Sequence, residues 1–222
     1  MISRLGYFAA NKRRGAAGPG GDPFFDNVVF LMGFEDPIID GFVYVSDQSN
    51  QGNDMAFNRA DCVRADAAIF GGYGFRRGTL FAQDDIADDG DFSFGSDPFT
   101  IEFWMNASAS VSSDYAIAKY VISGNQRSWR FEFGVSGPLS LRWSPNGSTQ
   151  YTLTVVSTIF DGNDHHIAVD RDITGKLRLY VDGNMDASAT ANTAFFNSSA
   201  PFRIEAEDGN LALDEIRITK GV

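Results

Sequence analysis

Asp97-Pro98-Phe99-Thr100-Ile101-Glu102-Phe103-Trp104-Met105 reads as a β-strand with one apolar face. Side chains alternate across a strand, so Phe99, Ile101, Phe103 and Met105 share one side, while Thr100, Glu102 and Trp104 share the other. The same period of two returns in Trp129-Arg130-Phe131-Glu132-Phe133 and in Leu177-Arg178-Leu179-Tyr180-Val181, with the charged residues assigned to outward faces. Strands with one face inward and one outward are the building unit of a two-sheet sandwich.

Outward from these segments, the chain after Asp26 is a succession of short strand-like runs, with no helical stretch long enough to compete. Further strands are expected at Val28–Phe34, Phe42–Ser46, Met55–Asn58, Cys62–Ala65, Thr79–Ala82, Ala116–Ser123, Leu139–Ser144, Tyr151–Ser157, His165–Arg171, Phe202–Ala206 and Leu213–Thr219. Pro145-Asn146-Gly147, Asp161-Gly162-Asn163, Asp182-Gly183-Asn184 and Asp208-Gly209-Asn210 place Asn, Asp and Gly where antiparallel hairpins need positive φ. The 222 residues suffice for one large sandwich with a buried core, and 20 Phe, 7 Tyr and 3 Trp beside 23 Gly suit bulky strands with tight connections. The expectation is an all-β, antiparallel two-sheet sandwich over residues 26–222, preceded by an extended arm over residues 1–25. Cys62 is alone, which excludes an intramolecular disulfide and leaves it as a small strand residue.

Charge divides along the same boundary. Residues 1–21 hold Arg4, Lys12, Arg13 and Arg14 and no acid, so of a formal net charge of −11 the remainder carries −15. A body this acidic repels phosphate backbones, so no nucleic-acid partner is expected. No apolar run approaches the ~20 residues of a membrane-spanning helix, and Arg4 and the Lys12-Arg13-Arg14 cluster interrupt anything like an export signal. The expectations are no membrane partner and synthesis in a cytoplasm. The Gly/Ala/Pro-rich arm has no hydrophobic periodicity, and is either a frayed terminus or a docking tail that orders on a partner.

Four segments occurring in order carry a resemblance. They are Asp97 to Trp104, Asp164-His165-His166-Ile167-Ala168-Val169, Leu179-Tyr180-Val181-Asp182-Gly183, and Leu213-Asp214-Glu215-Ile216-Arg217-Ile218-Thr219-Lys220-Gly221-Val222. Together they resemble the laminin G-like, concanavalin A-like jelly-roll domains that recur in bacterial surface proteins and in phage virion proteins. The family usually has Trp immediately before the paired histidines, where this chain has Asp164. The closing Ile-Thr-Lys-Gly-Val phrase is more similar to the phage members. The resemblance implies a jelly roll.

The candidate chemistry is thin. Glycosidases on this fold need two carboxylates across a cleft. Asp214 and Glu215 are adjacent and point to opposite sides of a strand, and Glu102, Glu132 and Glu205 stand singly on separate strands, so all five are expected on solvated faces or strand ends. His165 and His166 also face opposite ways, one packed and one exposed, and cannot by themselves assemble a zinc site. No Gly-x-Ser-x-Gly elbow is present. No enzyme is expected.

Asp84-Asp85-Ile86-Ala87-Asp88-Asp89-Gly90-Asp91 is the densest acidic loop, and calcium is the one ion for which the sequence offers a place, at Asp88, Asp89 and Asp91. Trp104, Trp143 and Tyr151 are candidates to stack on sugar faces. Arg4, Leu5, Tyr7, Phe8, Lys12, Arg13 and Arg14 are the candidate docking residues of the arm. The first expectation is a non-enzymatic structural protein of a phage virion, a head decoration, fibre or other appendage. It docks by its arm on capsid or tail proteins and is oligomeric in the particle. The alternative is a carbohydrate-binding adhesion module, on a virion or a bacterial surface, that meets host surface glycans.

Overall fold

The computed structural model describes residues 21–36, 43–57, 62–76, 85–108, 114–134, 138–205 and 210–222. The arm residues proposed for docking, the strand expected at Thr79–Ala82, Asp84 and most of the Asp208-Gly209-Asn210 turn lie outside them. The strands are β1 (Val28–Met32), β2 (Val43–Val45), β3 (Met55–Phe57), β4 (Val63–Arg64), β5 (Gly74–Phe75), β6 (Asp85–Ile86), β7 (Phe99–Ala107) and β8 (Asp114–Val121). They continue with β9 (Gln126–Phe133), β10 (Leu139–Gly147), β11 (Tyr151–Thr154), β12 (Asp164–Arg171), β13 (Lys176–Val181), β14 (Asn184–Thr190), β15 (Phe202–Ile204) and β16 (Leu211–Lys220).

Two antiparallel sheets face each other. One has eight strands in the order β14-β13-β12-β7-β16-β5-β4, with β1 also paired to β16, and the other has six in the order β11-β10-β9-β8-β15-β6. A separate hairpin joins β2 and β3. Among the described residues, helix is confined to short 3-10 turns and none is long and apolar enough to cross a membrane. The expected all-β antiparallel sandwich is the observed one.

β7 shows why. Phe99, Ile101, Phe103, Met105 and Ala107 are fully buried, whereas Thr100, Glu102, Trp104 and Asn106 between them are not. From the facing sheet, Phe131 meets Phe103 edge-on at 5.1 Å between ring centroids, which suits the opposed charges of ring edge and ring face. Trp129 is buried beside them, and its indole N–H donates to the carbonyl of Phe92 at 2.9 Å. Its polar atom is thereby satisfied inside the core.

Three details depart from the sequence reading. β14 was not expected, because Asn184-Met185-Asp186-Ala187-Ser188-Ala189-Thr190 lacks branched and aromatic residues. It forms as an edge strand because Asp182 and Gly183 take φ of 51° and 76° and make the tight turn that pairs Val181 with Asn184. Pro145-Asn146-Gly147 lies in the expected β10–β11 hairpin connection and also makes an unexpected bulge against β9, where Gly147 pairs with Arg127. Gly147 has φ of 81°, and a Cβ there would stand 1.8 Å from the carbonyl oxygen of Asn125, so only glycine fits. Finally, the outward face of β9 is not solvated: Arg130 is 6% exposed and Glu132 8%.

Phe103→Ala is expected to cost about 3–5 kcal/mol, since the site is closed on all sides and cannot collapse freely. Thr100→Ala, on the opposite face of the same strand, is expected to cost less than about 1 kcal/mol. Chemical denaturation of the two variants checks this, and equal small losses would refute the register of β7.

Candidate functional site

The outward face of the eight-stranded sheet carries the most developed arrangement of rings and polar groups. Strand register places His166, Trp104 and Asp214 in one row across β12, β7 and β16, and Ala168, Glu102 and Arg217 in the next. Phe70, from the segment between β4 and β5, meets Trp104 edge-on at 4.9 Å, and His166 lies 5.2 Å from it on the neighbouring strand. Phe70 is 45% exposed and Tyr73, in the same segment, 38%. A solvent-facing aromatic shelf results.

The segment is fastened by two carboxylates. Asp214 is fully buried, and one oxygen accepts the backbone N–H groups of Ile69 and Phe70, each at 2.9 Å, while the other accepts that of Glu215 at 2.9 Å. Burial pushes the Asp214 carboxyl pKa up, against those three hydrogen bonds. Glu35 accepts from Gly72 N–H at 2.9 Å and from Tyr73 N–H at 3.1 Å. The shelf is therefore held by backbone bonds, which need no particular side chains in the segment itself.

Beside the shelf, His166 Nε2 is 3.3 Å from Glu102, and Arg217 is paired with Glu102 at 3.7 Å and with Asp22. The hydrogen bond from His166 holds the Glu102 carboxyl below its usual range, against burial. A bulge between Asp214 and Arg217 puts Glu215 at φ of 49°, with its carboxyl raised by burial and by the nearby charges of Asp214 and Glu35. The expectation that Asp214 and Glu215 occupy opposite, solvated faces of a regular strand is thus corrected. Asp214 is an internal anchor whose oxygens are occupied by backbone donors, so it is not free to act as a nucleophile or base. Glu132, expected on a solvated face, is likewise buried between Arg130 and Arg142, because two cations compensate its charge there.

Of the two histidines, one is packed as expected and the other is less exposed than expected. His165 packs inward, with Nδ1 2.8 Å from Asp182 and Nε2 3.1 Å from Asp161. His166 is half-buried against Trp104 and Glu102 rather than exposed.

The expected sugar-stacking residues do not form one site. Trp104 remains on the outer face. Trp143 is 4% exposed, with Tyr151 stacked at 5.6 Å and Phe195 at 5.8 Å, so its ring is spent on internal packing. Tyr151 is 46% exposed, but it stands on β11, at the edge of the other sheet.

The proposed calcium ligands are also separately employed. Asp88 pairs with the fully buried Lys119, Asp89 accepts the N–H of Asp91 at 2.9 Å, and Asp91 accepts from Asn53 at 3.0 Å. Among the described residues, no group of three or more His, Cys, Asp or Glu is arranged to hold a metal. An ammonium on Asp88 does not fit a calcium site there. Phe70 was missed in the sequence, although an apolar residue in Ala68-Ile69-Phe70-Gly71-Gly72-Tyr73, where turn signals dominate, was a legible sign of a displayed ring.

The two-sheet antiparallel sandwich, with an outward aromatic shelf on the larger sheet, is a lectin-like fold. The chain belongs to the concanavalin A-like lectin/glucanases superfamily, whose model matches residues 82–222. No curated protein matches the sequence. Among solved structures, the binding domain of Paraclostridial Mosquitocidal Protein 1 is similar with a TM-score of 0.68 at 16% identity, over 89% of this chain and 49% of that one. The binding domain of botulinum neurotoxin serotype G gives a TM-score of 0.66 at 13% identity, over 86% and 47%. The binding domain of botulinum neurotoxin DC, in complex with SialylT, gives 0.65 at 11%, over 88% and 48%. These likenesses are of fold, and the chain spans about half the length of the binding domains it matches.

The Asp161–His165–Asp182 clamp makes stability depend on pH. Burial opposes the charged imidazole, but the hydrogen bonds to Asp182 and Asp161 outweigh it and raise the His165 pKa above 6.5, while the Asp161 carboxyl is lowered to about 2 by bonds from Asn163 and His165. A raised histidine stabilises the fold fully below its unfolded value of 6.5 and loses that contribution as pH rises through the folded value. The lowered carboxylate contributes above 3.8 and fades as pH falls toward 2. Melting temperature is expected to decline as pH rises above 6.5, and His165→Gln is expected to flatten that decline; an identical slope in the variant would exclude the clamp as its source.

Proposed function

We propose that the chain is a non-catalytic carbohydrate-binding module whose platform is the Trp104–Phe70 shelf. The observation that carries this reading is the pair of rings 4.9 Å apart on an outward sheet face, with the half-buried Glu102–His166 pair beside them. Ring faces take the C–H side of a pyranose, while paired polar groups at fixed positions accept and donate to its hydroxyls. The cation Arg217 is already held by Glu102 and Asp22, which favours neutral sugars on this face over acidic ones. The similar structures lend support: cell entry of botulinum neurotoxin type C is dependent upon interaction with two ganglioside molecules, and the binding domain of neurotoxin DC is found in complex with SialylT. The sealed position of Asp214 supports the absence of glycosidase chemistry.

Trp104→Ala is expected to weaken binding of a neutral oligosaccharide found on a glycan array by about tenfold or more, the equivalent of about 1.4 kcal/mol, with the fold intact by circular dichroism. Phe70→Ala is expected to act in the same direction. Unchanged affinity in both variants would move the platform elsewhere, and a chain that binds no glycan would refute the reading.

The charge division supports a second reading, in which the module is displayed on a phage-like virion as a decoration, fibre or other appendage, and Arg4, Leu5, Tyr7, Phe8, Lys12, Arg13 and Arg14 dock on a capsid or tail protein. Ordering such an arm costs about 1–2 kcal/mol per residue in backbone entropy, so both apolar burial and charge pairing are needed to offset it. Co-sedimentation with particles lacking the chain tests this. Deletion of residues 1–21 is expected to abolish incorporation, and Ser at positions 12–14 to weaken it; full incorporation of the truncated chain would refute arm docking.

A further inference from the structure

The six-stranded sheet has its own outward face, and its chemistry differs from that of the Trp104 face. Register places Arg203, Ala118, Arg130, Arg142 and Thr152 in one row across β15, β8, β9, β10 and β11. Arg130 is 6% exposed, with its guanidinium carbon 3.9 Å from the Tyr120 ring centroid and 4.3 Å from that of Tyr115. Glu132, 8% exposed, stands in ion-pair contact with Arg130 on one side and with Nε of Arg142 on the other. The Arg142 contact is close but off the N–H axis, and so it is charge pairing rather than a directional bond. One carboxylate thus serves two guanidinium groups, while the neighbouring Arg203 is shared by Asp85 and Glu205, so the charges of this patch balance on a body carrying −15.

The three guanidinium groups differ in what they still offer. Arg130 is enclosed, and its Nε and Nη1 have no hydrogen-bond acceptor. Arg203 is already taken bidentately by Asp85 at 2.7 and 3.1 Å. The Arg142 side chain is 38% exposed, and its two terminal nitrogens have no acceptor among the described residues. An exposed arginine fork kept near a buried carboxylate by charge, with both terminal nitrogens open, suits a planar anion taken bidentately. Next to it, Thr152 lies opposite on β11, and the hydroxyls of Ser140 and Thr154 are bonded to each other at 2.9 Å.

We infer that this face is a second saccharide site, in which Arg142 binds the carboxylate of an acidic sugar and the neighbouring hydroxyls bind its ring. The inference rests on the carbohydrate-binding reading but on none of the residues of the Trp104 shelf. A single carboxylate needs only the Arg142 fork, whereas a polyanion such as a nucleic acid meets the acidic body and is repelled.

The test is calorimetric titration of the full chain with lactose, 3′-sialyllactose, a glucuronate disaccharide and 3′-sulfolactose. The two carboxylated sugars are expected to bind about tenfold or more tighter than lactose at low salt, and the gap is expected to narrow as salt rises. Arg142→Gln is expected to erase the gap while leaving lactose affinity unchanged. Arg142→Lys is expected to restore only part of it, because a point charge lacks the fork. Thr152→Glu, which places an internal carboxylate opposite Arg142 without touching Glu132, is expected to erase the gap even if Arg142→Gln unfolds. Equal affinity for acidic and neutral sugars, or a gap that survives in folded Arg142→Gln or Thr152→Glu, would overturn the site while leaving the Trp104 reading standing. A preference for the sulfated sugar alone would overturn the carboxylate assignment. No binding of any sugar would overturn both readings.

Discussion

A buried carboxylate, Asp214, is the constraint on which the outward architecture of the larger sheet depends. An ion in the interior is tolerated when its oxygens are saturated with donors, and Asp214 meets that condition with the N–H groups of Ile69, Phe70 and Glu215. The bond to Glu215 also requires the local break in β16, since the residue after Asp214 must turn back into the left-handed region. One side chain therefore sets the bulge in the strand and the path of the segment above it. The position of Phe70 over Trp104 follows from both.

The smaller sheet solves a related problem with opposite charge. A guanidinium enclosed between two tyrosine rings gains from the ring quadrupoles, and Glu132 neutralises it at the next outward position along the strand. Replacing such a buried pair with apolar residues is often neutral for stability, so the network is better understood as fixing geometry than as holding the sandwich together. Stability resides in the aromatic and aliphatic layer between the sheets, from Phe103 and Phe131 to Trp129, which would be the same whichever polar groups faced outward.

This separation explains what the sequence disclosed. The core layer was legible because period-two alternation survives in β7, β12 and β13, where each strand is regular. β14 was not legible, since an edge strand stitched to its neighbour by a turn needs little from its own side chains. Nor was the role of Asp214, because adjacent acids in a strand read as opposite-facing unless a bulge intervenes, and a bulge has no signature in Leu213-Asp214-Glu215-Ile216. Trp143 and Trp104 look equivalent in sequence. They part because Trp143 lies across from Tyr151 at a layer closed by Phe195, whereas Trp104 occupies the alternate face of its strand.

The sites proposed on the two faces share a physical advantage. β7 is hydrogen-bonded on both sides, by β12 and β16, and so is β10, by β9 and β11, so neither Trp104 nor Arg142 sits on a strand that must be ordered when a ligand arrives. Ligands as polar as sugars gain little from burial, and affinity is set by how much freedom the protein has already given up. The outward faces of interior strands supply that rigidity as a by-product of forming the sandwich. The two faces then differ in the arginine beside their anchors: Arg142 is paired with Glu132 only through Nε, which leaves its terminal nitrogens without a hydrogen-bond acceptor among the described residues, against a Trp104 shelf whose cation is matched by both Glu102 and Asp22. If both proposed sites hold, a single scaffold discriminates acidic from neutral sugars without changing its core.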